Sequence, residues 1–132
     1  MNKFMTVSTM EADDVTWLVY NTYFNTAAES ELESKDARIL LRKAIQEQLN
    51  NNPRTNIMVT GDFNAYYQKV NKDLKPFGIH PAVAESTFMN KRRKAGSDKL
   101  NDEIFTNGII VNSGTIEHAT EVFDHKAVFA EI

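Results

Sequence analysis

Two apolar segments separated by one long helical segment constrain the fold of this chain more than any other feature. "VTWLVYNTYF" (Val15–Phe24) is rich in β-branched and aromatic residues, and "NIMVT" (56–60) is almost wholly apolar, so both segments are typical of strands. Between them, residues 27–52 carry apolar side chains at helical spacing, namely Leu32, Ala37, Leu41, Ala44, Ile45 and Leu49. This order predicts a strand–helix–strand unit whose two strands pair in parallel through a right-handed crossover.

The remaining elements predicted from the sequence are short. Residues 65–78 indicate a short helix that Pro76 and Gly78 bring to an end. The polar residues before Val15 indicate a lead without a strand of its own. Three closing strands are predicted at 102–106, 109–118 and 127–132. We therefore expect one α/β domain over 1–132, with one mixed β-sheet and helices on one of its faces.

Composition bounds the class of protein without naming a function. The chain has 132 residues, 42% of them hydrophobic and 25% charged, which is ordinary for one soluble globular domain. It has no cysteine, so disulfides and thiolate metal sites are excluded. No apolar run is long enough to cross a membrane, and no signal-peptide core is present, so a cytoplasmic location is expected. A net charge of -3 argues against a generally basic coat for nucleic acid.

The sequence "TGDFN" ends the second predicted strand with residues suited to a ligand site. Gly61 permits a sharp backbone turn, and Asp62 and Asn64 supply a carboxylate and an amide. In α/β folds, ligands bind beyond the ends of buried strands, where side chains emerge from a rigid platform. The alternative is a simple turn in which the Asp and Asn side chains make only local hydrogen bonds.

The order of several segments resembles that of the endonuclease/exonuclease/phosphatase superfamily, which has the fold of pancreatic deoxyribonuclease. The resemblance rests on "VYNTYFN", then a helix, then "IMVTGDFNA", "NDEIF" and "FDHKAVFAEI". It covers nearly all of this chain but only the C-terminal half of such a domain. It implies a truncated half of a four-layered α/β sandwich, and the tyrosine in "YFN" is closest to the abasic-site and retrotransposon endonuclease branch.

The resemblance implies a role for each matching residue. Asp62 would orient and help deprotonate the attacking water, and Asn64 would hold that water and the scissile phosphate. Asp102 would pair with His125, and Asp124 would join Asp62 at a site for Mg²⁺ or Mn²⁺. Such a site suits the reaction, since phosphodiester hydrolysis builds negative charge that a cation held by carboxylates stabilises.

Further candidate residues lie outside this central set. Tyr23 is a candidate donor to a phosphate oxygen or leaving group, or it is an aromatic residue packed on a sheet face. Asn25 is a candidate contact to nucleic acid. A basic segment can neutralise backbone phosphates, although such segments are often only solvated. Its residues are Lys91, Arg92, Arg93 and Lys94.

Because the resemblance covers only the C-terminal half of the family's domain, two consequences are expected. A single sheet with helices on one face would expose its other apolar face, which predicts a homodimer or a complementing chain. The family's metal-binding glutamate belongs to the absent half, so activity itself is open. The leading hypothesis is a truncated metal-dependent phosphodiesterase of nuclease type that acts on DNA. The alternatives are an inactive nuclease-like binding module, acting as an inhibitor or toxin, and a phosphatase acting on lipid or nucleotide.

Overall fold

The computed structural model describes residues 5–24, 31–83, 101–116 and 127–132, without the side chains of 31–34 and 65. Within these ranges, five strands form one mixed sheet in the order β1-β2-β3-β5-β4. The strands are β1 (Met5–Ala12), β2 (Val15–Tyr23), β3 (Asn56–Asp62), β4 (His80–Pro81) and β5 (Asp102–Thr106). Two more strands, β6 (Asn112–Ile116) and β7 (Ala127–Glu131), form a separate antiparallel pair. The predicted α/β class with a mixed sheet is confirmed.

The strand–helix–strand unit forms as the sequence predicts. Helix α1 (Glu31–Asn51) connects β2 to β3, and these two strands pair in parallel from Trp17↔Asn56 to Tyr23↔Asp62. The helix ends immediately before Asn52 and Pro53, because proline has no backbone N–H to continue the ladder. The second predicted helix is α2 (Tyr67–Leu74), which lies between two single 3₁₀ turns, Asn64–Tyr66 and Lys75–Phe77.

Both helices pack on the same face of the five-stranded sheet, called the near face. Alternate strand residues point to this face and are fully or almost fully buried under apolar helix side chains. The buried strand residues include Tyr20, Ile57, Val59 and Phe105, and the buried helix residues include Leu41, Ile45, Val70 and Leu74. Each such side chain contributes about 1.5 to 3 kcal/mol on burial, so this layer supplies most of the stability of the described fold.

Strand β1 is an element that the sequence reasoning missed. Met5–Ala12 pairs antiparallel with β2 along its whole length, and the connecting turn has only two residues, Asp13 and Asp14. Their φ angles of 49° and 63° are the positive values that a tight type I′ hairpin turn needs. Asp-Asp is a weaker hairpin signal than Asn-Gly or Asp-Gly, and β1 is exposed over most of its length, so its apolar pattern is faint.

The opposite face of the sheet, called the far face, is partly covered by the pair of β6 and β7. A Cβ added to Gly108 would lie 2.6 Å from Trp17 Cη2 and 2.7 Å from Ile132 Cγ2. The chain after β7 therefore packs closely over Trp17, which is buried. The sequence did not indicate that the last two strands leave the main sheet, and this arrangement covers part of the face expected to be bare.

Several predicted site residues lie outside the described residues. They are Asn25, Lys91, Arg92, Arg93, Lys94, Asp124 and His125. Among the residues described, no helix is long and apolar enough to cross a membrane.

Gly61 has a different function from the sharp turn that we expected. It lies inside β3 with a φ of 142°, and a Cβ there would lie 1.9 Å from the backbone oxygen of Thr22. The two strands approach so closely that no side chain fits between them. The Thr22 hydroxyl also donates to the backbone oxygen of Thr60 at 3.1 Å, which fixes this contact.

Replacing Gly61 with alanine is therefore expected to destabilise the protein strongly. We predict that Gly61→Ala lowers the free energy of unfolding by about 2 kcal/mol or more, through the clash with Thr22 and the unfavourable φ. Gly78→Ala is the matched control, because Gly78 also has a positive φ, 72°, but a Cβ added there would meet no atom within 4 Å. Urea unfolding of both variants measures the difference, and equal losses would show that the close approach is unimportant.

Candidate active site at the end of the sheet

Three polar side chains form a row across adjacent strands on the far face, called the site row. Tyr23 on β2 pairs with Asp62 on β3, and Asp62 pairs with Asp102 on β5. Residues directly opposite each other in a sheet point to the same face, with Cα atoms about 4.5 to 5.5 Å apart in antiparallel strands. The register therefore places a phenol and two carboxylates side by side. Tyr23 is 54% exposed, so it is not packed into a core.

Backbone and side-chain hydrogen bonds join the strand ends that carry the site row. Phe24 N donates to Asp62 O at 3.0 Å, and Phe63 N donates to Asn101 O at 2.6 Å. The side chain of Asn64 donates from Nδ2 to Phe24 O, and Asn64 N donates to Asp62 Oδ1 at 3.0 Å. The local hydrogen bonds of a simple turn are thus present. They also orient the Asp62 carboxylate, so the two interpretations are compatible.

An open cavity of about 500 Å³ lies over this end of the far face. Its lining includes Asp62 and Asp102, and behind them Asn21 and Thr60, whose side chains share a hydrogen bond of 3.1 Å. Residues 127 and 128 at the start of β7 also line it. The cavity therefore brings residues of four strands, β2, β3, β5 and β7, together around two carboxylates.

The buried residue Glu103 is a feature that sequence reasoning missed. It is 1% exposed and points to the near face, where it accepts hydrogen bonds from Tyr67 Oη at 2.9 Å and Val83 N at 2.8 Å. Ile104 N also donates to it at 2.9 Å. Strict alternation in "NDEIF" was the available signal, since one acidic residue must point inward when its neighbour Asp102 points outward. Glu103 therefore anchors the strand that presents Asp102.

Burial controls the ionisation of this anchor and of its partner. Loss of hydration raises the pKa of Glu103 above its ordinary value of 4.5, although the hydrogen bonds from Ile104, Val83 and Tyr67 act in the opposite direction. Burial, together with the adjacent Glu103, also raises the pKa of Tyr67. Both groups are therefore harder to ionise than exposed groups of the same kind.

Charge is strongly segregated among the described side chains. The Lys and Arg side chains that the structure describes lie in the helical layer and its adjoining turns, at positions 35, 38, 42, 43, 54, 69, 72 and 75. The described strands and the β1–β2 turn contain no Lys or Arg, but they carry acidic residues, namely Glu11, Asp13, Asp14, Asp62, Asp102, Glu103 and Glu131. The far-face cavity therefore has carboxylates and no basic side chain from the described strands.

The site row supplies oxygen atoms of the kind that Mg²⁺ and Mn²⁺ prefer. Among the residues that the structure describes, no group of three or more His, Cys, Asp or Glu side chains lies close enough together to hold a metal ion. The described part of the site thus fits a hard cation in its chemistry and includes Asp62, one of the two residues predicted to hold such an ion. Asp124, the residue predicted to join Asp62 at the metal, lies outside the described ranges.

Comparison with known proteins identifies the fold. No family model matches the sequence, and no curated protein matches it. Among solved structures, a truncated TDP2 from Caenorhabditis elegans is similar with a TM-score of 0.68 and 15% identity, over 94% of this chain and 57% of that one. An endonuclease/exonuclease/phosphatase family protein from Leptotrichia buccalis has a TM-score of 0.62 and 18% identity, over 97% and 54%. The 3′ phosphatase NExo from Neisseria, bound to a product DNA hairpin, has a TM-score of 0.65 and 14% identity, over 95% and 63%.

The buried anchor gives a pH dependence that can be measured. Between pH 4.5 and the raised pKa of Glu103, the folded chain keeps a proton that the unfolded chain loses, so stability falls as pH rises through this window. Glu103→Gln keeps the shape and cannot titrate. We therefore expect the stability of the wild type relative to this variant to fall as the pH rises.

Urea unfolding at a series of pH values from 4.5 to 8 tests this expectation. Glu131→Gln, which changes an exposed carboxylate on β7, controls for the loss of one charge. If the free energies of unfolding of the wild type and Glu103→Gln change in parallel with pH, the expectation is contradicted. Glu103→Ala should lose about 3 kcal/mol or more at every pH, because two buried donors and one partly buried donor lose their acceptor.

Proposed function

Since this chain has the fold of the endonuclease/exonuclease/phosphatase superfamily, over about half the length of the structures it matches, we propose that it is a truncated metal-dependent phosphodiesterase acting on nucleic acid. The observation that carries the proposal is the site row, in which Asp62 and Asp102 lie directly opposite each other beside Tyr23. A cytoplasmic location and DNA as the substrate are parts of the same proposal.

The cavity over the site row supports the inclusion of Asp124 and His125. Ala127, which lines the cavity beside Asp62 and Asp102, follows His125 by two residues. The proposal assigns the Asp124–His125 pair to this cavity because of this closeness in sequence. A histidine braced by Asp102 would act as general acid or base near neutral pH.

Each described residue takes a role that its contacts support. Asp62 orients and helps to deprotonate the attacking water, since its carboxylate is held in place by Asn64 N. Asn64 ties the ends of β2 and β3 together through Phe24 O, and its contact with the scissile phosphate is part of the proposal. Tyr23, with its exposed side chain in the same row, donates a hydrogen bond to a phosphate oxygen or to the leaving group.

Asp62 and Asp124 would hold Mg²⁺ or Mn²⁺ in this proposal. The ion supplies stabilisation of the negative charge that develops on the phosphate oxygens. The absence of basic side chains on the described strands makes a bound cation more important, because the carboxylates alone would repel a phosphate.

A specific observation favours a second function, that of a nuclease-like binding module without turnover that acts as an inhibitor or toxin. The chain covers 57% and 54% of two matched structures, and the metal-binding glutamate that the resemblance implies belongs to the half that it does not cover. Mg²⁺ gives up its water reluctantly and needs well-placed oxygen ligands, so a site with few carboxylates binds it weakly. The two functions differ in whether nucleic acid is cut or only held.

Cleavage of plasmid DNA separates these functions. We expect the wild type to nick supercoiled plasmid in Mg²⁺ or Mn²⁺ and not in EDTA, and we expect Asp62→Asn and Asp102→Asn to lower the rate by about 100-fold or more. Asp36→Asn, an exposed carboxylate on α1, is the matched control and should cleave normally.

Two results would contradict the phosphodiesterase. Binding of DNA without metal-dependent nicking by the wild type would support the binding module instead. Equal residual nicking by the wild type and both site variants would show that a contaminating nuclease is responsible for the activity.

We also propose that the chain forms a homodimer or binds a complementing chain. Ile109 and Val111, two residues apart, expose 84% and 70% of their surface, and exposed apolar side chains so close together are typical of an interface. This chain covers 57% and 54% of two matched solved structures, so a second polypeptide would supply a mass comparable to the remainder.

Light scattering during size-exclusion chromatography tests the dimer. We expect a dimer at micromolar concentration that dissociates when Ile109 and Val111 are both replaced by lysine. Leu40→Lys, at an exposed apolar position on α1, is the control and should leave the dimer intact. A clean monomer for the wild type would refute self-association.

A further inference from the structure

A second concave surface lies on the other side of the molecule, between α1 and α2. This helix groove has a volume of about 900 Å³ and contains four basic side chains, Arg38, Arg42, Lys43 and Lys72. It contains two carboxylates, those of Glu47 and Asp73, so its net charge is positive although the net charge of the chain is -3. The helices pack on the near face of the sheet, so the groove is separated from the site row by the sheet itself.

The ion pairs in the groove leave most of its positive charge available to a ligand. Arg38 makes two hydrogen bonds to Asp73, from Nε to Oδ2 at 2.7 Å and from Nη2 to Oδ1 at 3.0 Å. This pair joins α1 to α2 and fixes the floor of the groove. Arg42 lies 3.9 Å from the same carboxylate, which is the outer limit of an ion pair, and its side chain is 47% exposed. Lys43 and Lys72 are exposed at the walls.

The groove also has apolar surface. Pro76 and Phe77 follow α2 and line one end, and Phe77 is only partly buried against the core. Gln46 and Asn50 bring amide groups to the opposite wall, where Gln46 Nε2 donates to Asn50 Oδ1 at 2.9 Å. Proteins that bind single-stranded nucleic acid combine basic side chains for the phosphates with an aromatic ring on which a base stacks.

We propose that the helix groove binds a single-stranded nucleic acid segment, with Arg42, Lys43 and Lys72 on the phosphates and Phe77 against a base. An acidic peptide would match the charges but has no base to stack on the ring of Phe77. The site does not depend on the proposed phosphodiesterase, since it requires binding alone. It would hold a strand on the face of the protein remote from the site row.

Binding of a fluorescent 20-nucleotide single strand to the full chain in EDTA tests the proposal. The triple variant Arg42→Ala, Lys43→Ala, Lys72→Ala should bind about tenfold or more weakly at low salt. The slope of log K against log salt should fall in magnitude by about 2, since each lost phosphate contact on a single strand contributes about 0.7. The matched control is Lys35→Ala, Arg54→Ala, Lys69→Ala, which removes the same charge outside the groove.

The role of Phe77 is tested by Phe77→Leu, which keeps an apolar side chain and removes the ring. It should weaken single-strand binding about fivefold or more and leave duplex binding nearly unchanged. Three outcomes would overturn the proposal: equal weakening by the two triple variants, an equal effect of Phe77→Leu on single strand and duplex, or equally tight groove-dependent binding of poly-glutamate. Cleavage in Mg²⁺ is a separate measurement, so this proposal and the phosphodiesterase can fail independently.

Discussion

The close contact between Gly61 and the backbone of Thr22 is the constraint on which the candidate site depends. It lets β2 and β3 run side by side to their last residues, so that Tyr23 and Asp62 end at the same level of the sheet. β5 then joins β3 in a register that places Asp102 opposite Asp62. A larger residue at position 61 would separate the strands where the polar side chains need to be close. The geometry of the site thus depends on the lack of a side chain at Gly61.

The alternation of side chains along β5 couples stability to the site. Asp102 points to the cavity, Glu103 points into the core under α2, and Phe105 packs beside it. A buried carboxylate is costly unless its hydrogen bonds are satisfied, and here Tyr67 and backbone N–H groups provide them. The direction of Asp102 is therefore set by the direction of its neighbour, which cannot rotate outward without leaving three donors unpaired.

The sequence predicted the parts of the fold that have strong local signals. The long periodicity of α1, the apolar run of β3 and the segment "DEIFT" were all found at or near their observed bounds. The resemblance to a known superfamily placed Asp62 and Asp102 in one site on the sequence alone. Strand β1 was not predicted from the sequence, because its side chains are exposed on both faces and its Asp-Asp turn is an unusual hairpin sequence. Glu103 was missed although the alternation in "NDEIF" indicated it, and the helix groove was missed because it depends on contacts between segments that are distant in sequence.

Strand β1 gives the molecule a further property. Among the described residues its outer side pairs with no strand, and its eight residues include neither proline nor lysine, which proteins commonly use to protect such edges. Within the described part of the chain, the outer N–H and C=O groups of β1 form a template of the kind that accepts another extended chain. Concentrated solutions of this protein therefore carry a risk of edge-to-edge aggregation, and a lysine introduced in the middle of β1 is the simplest protection against it.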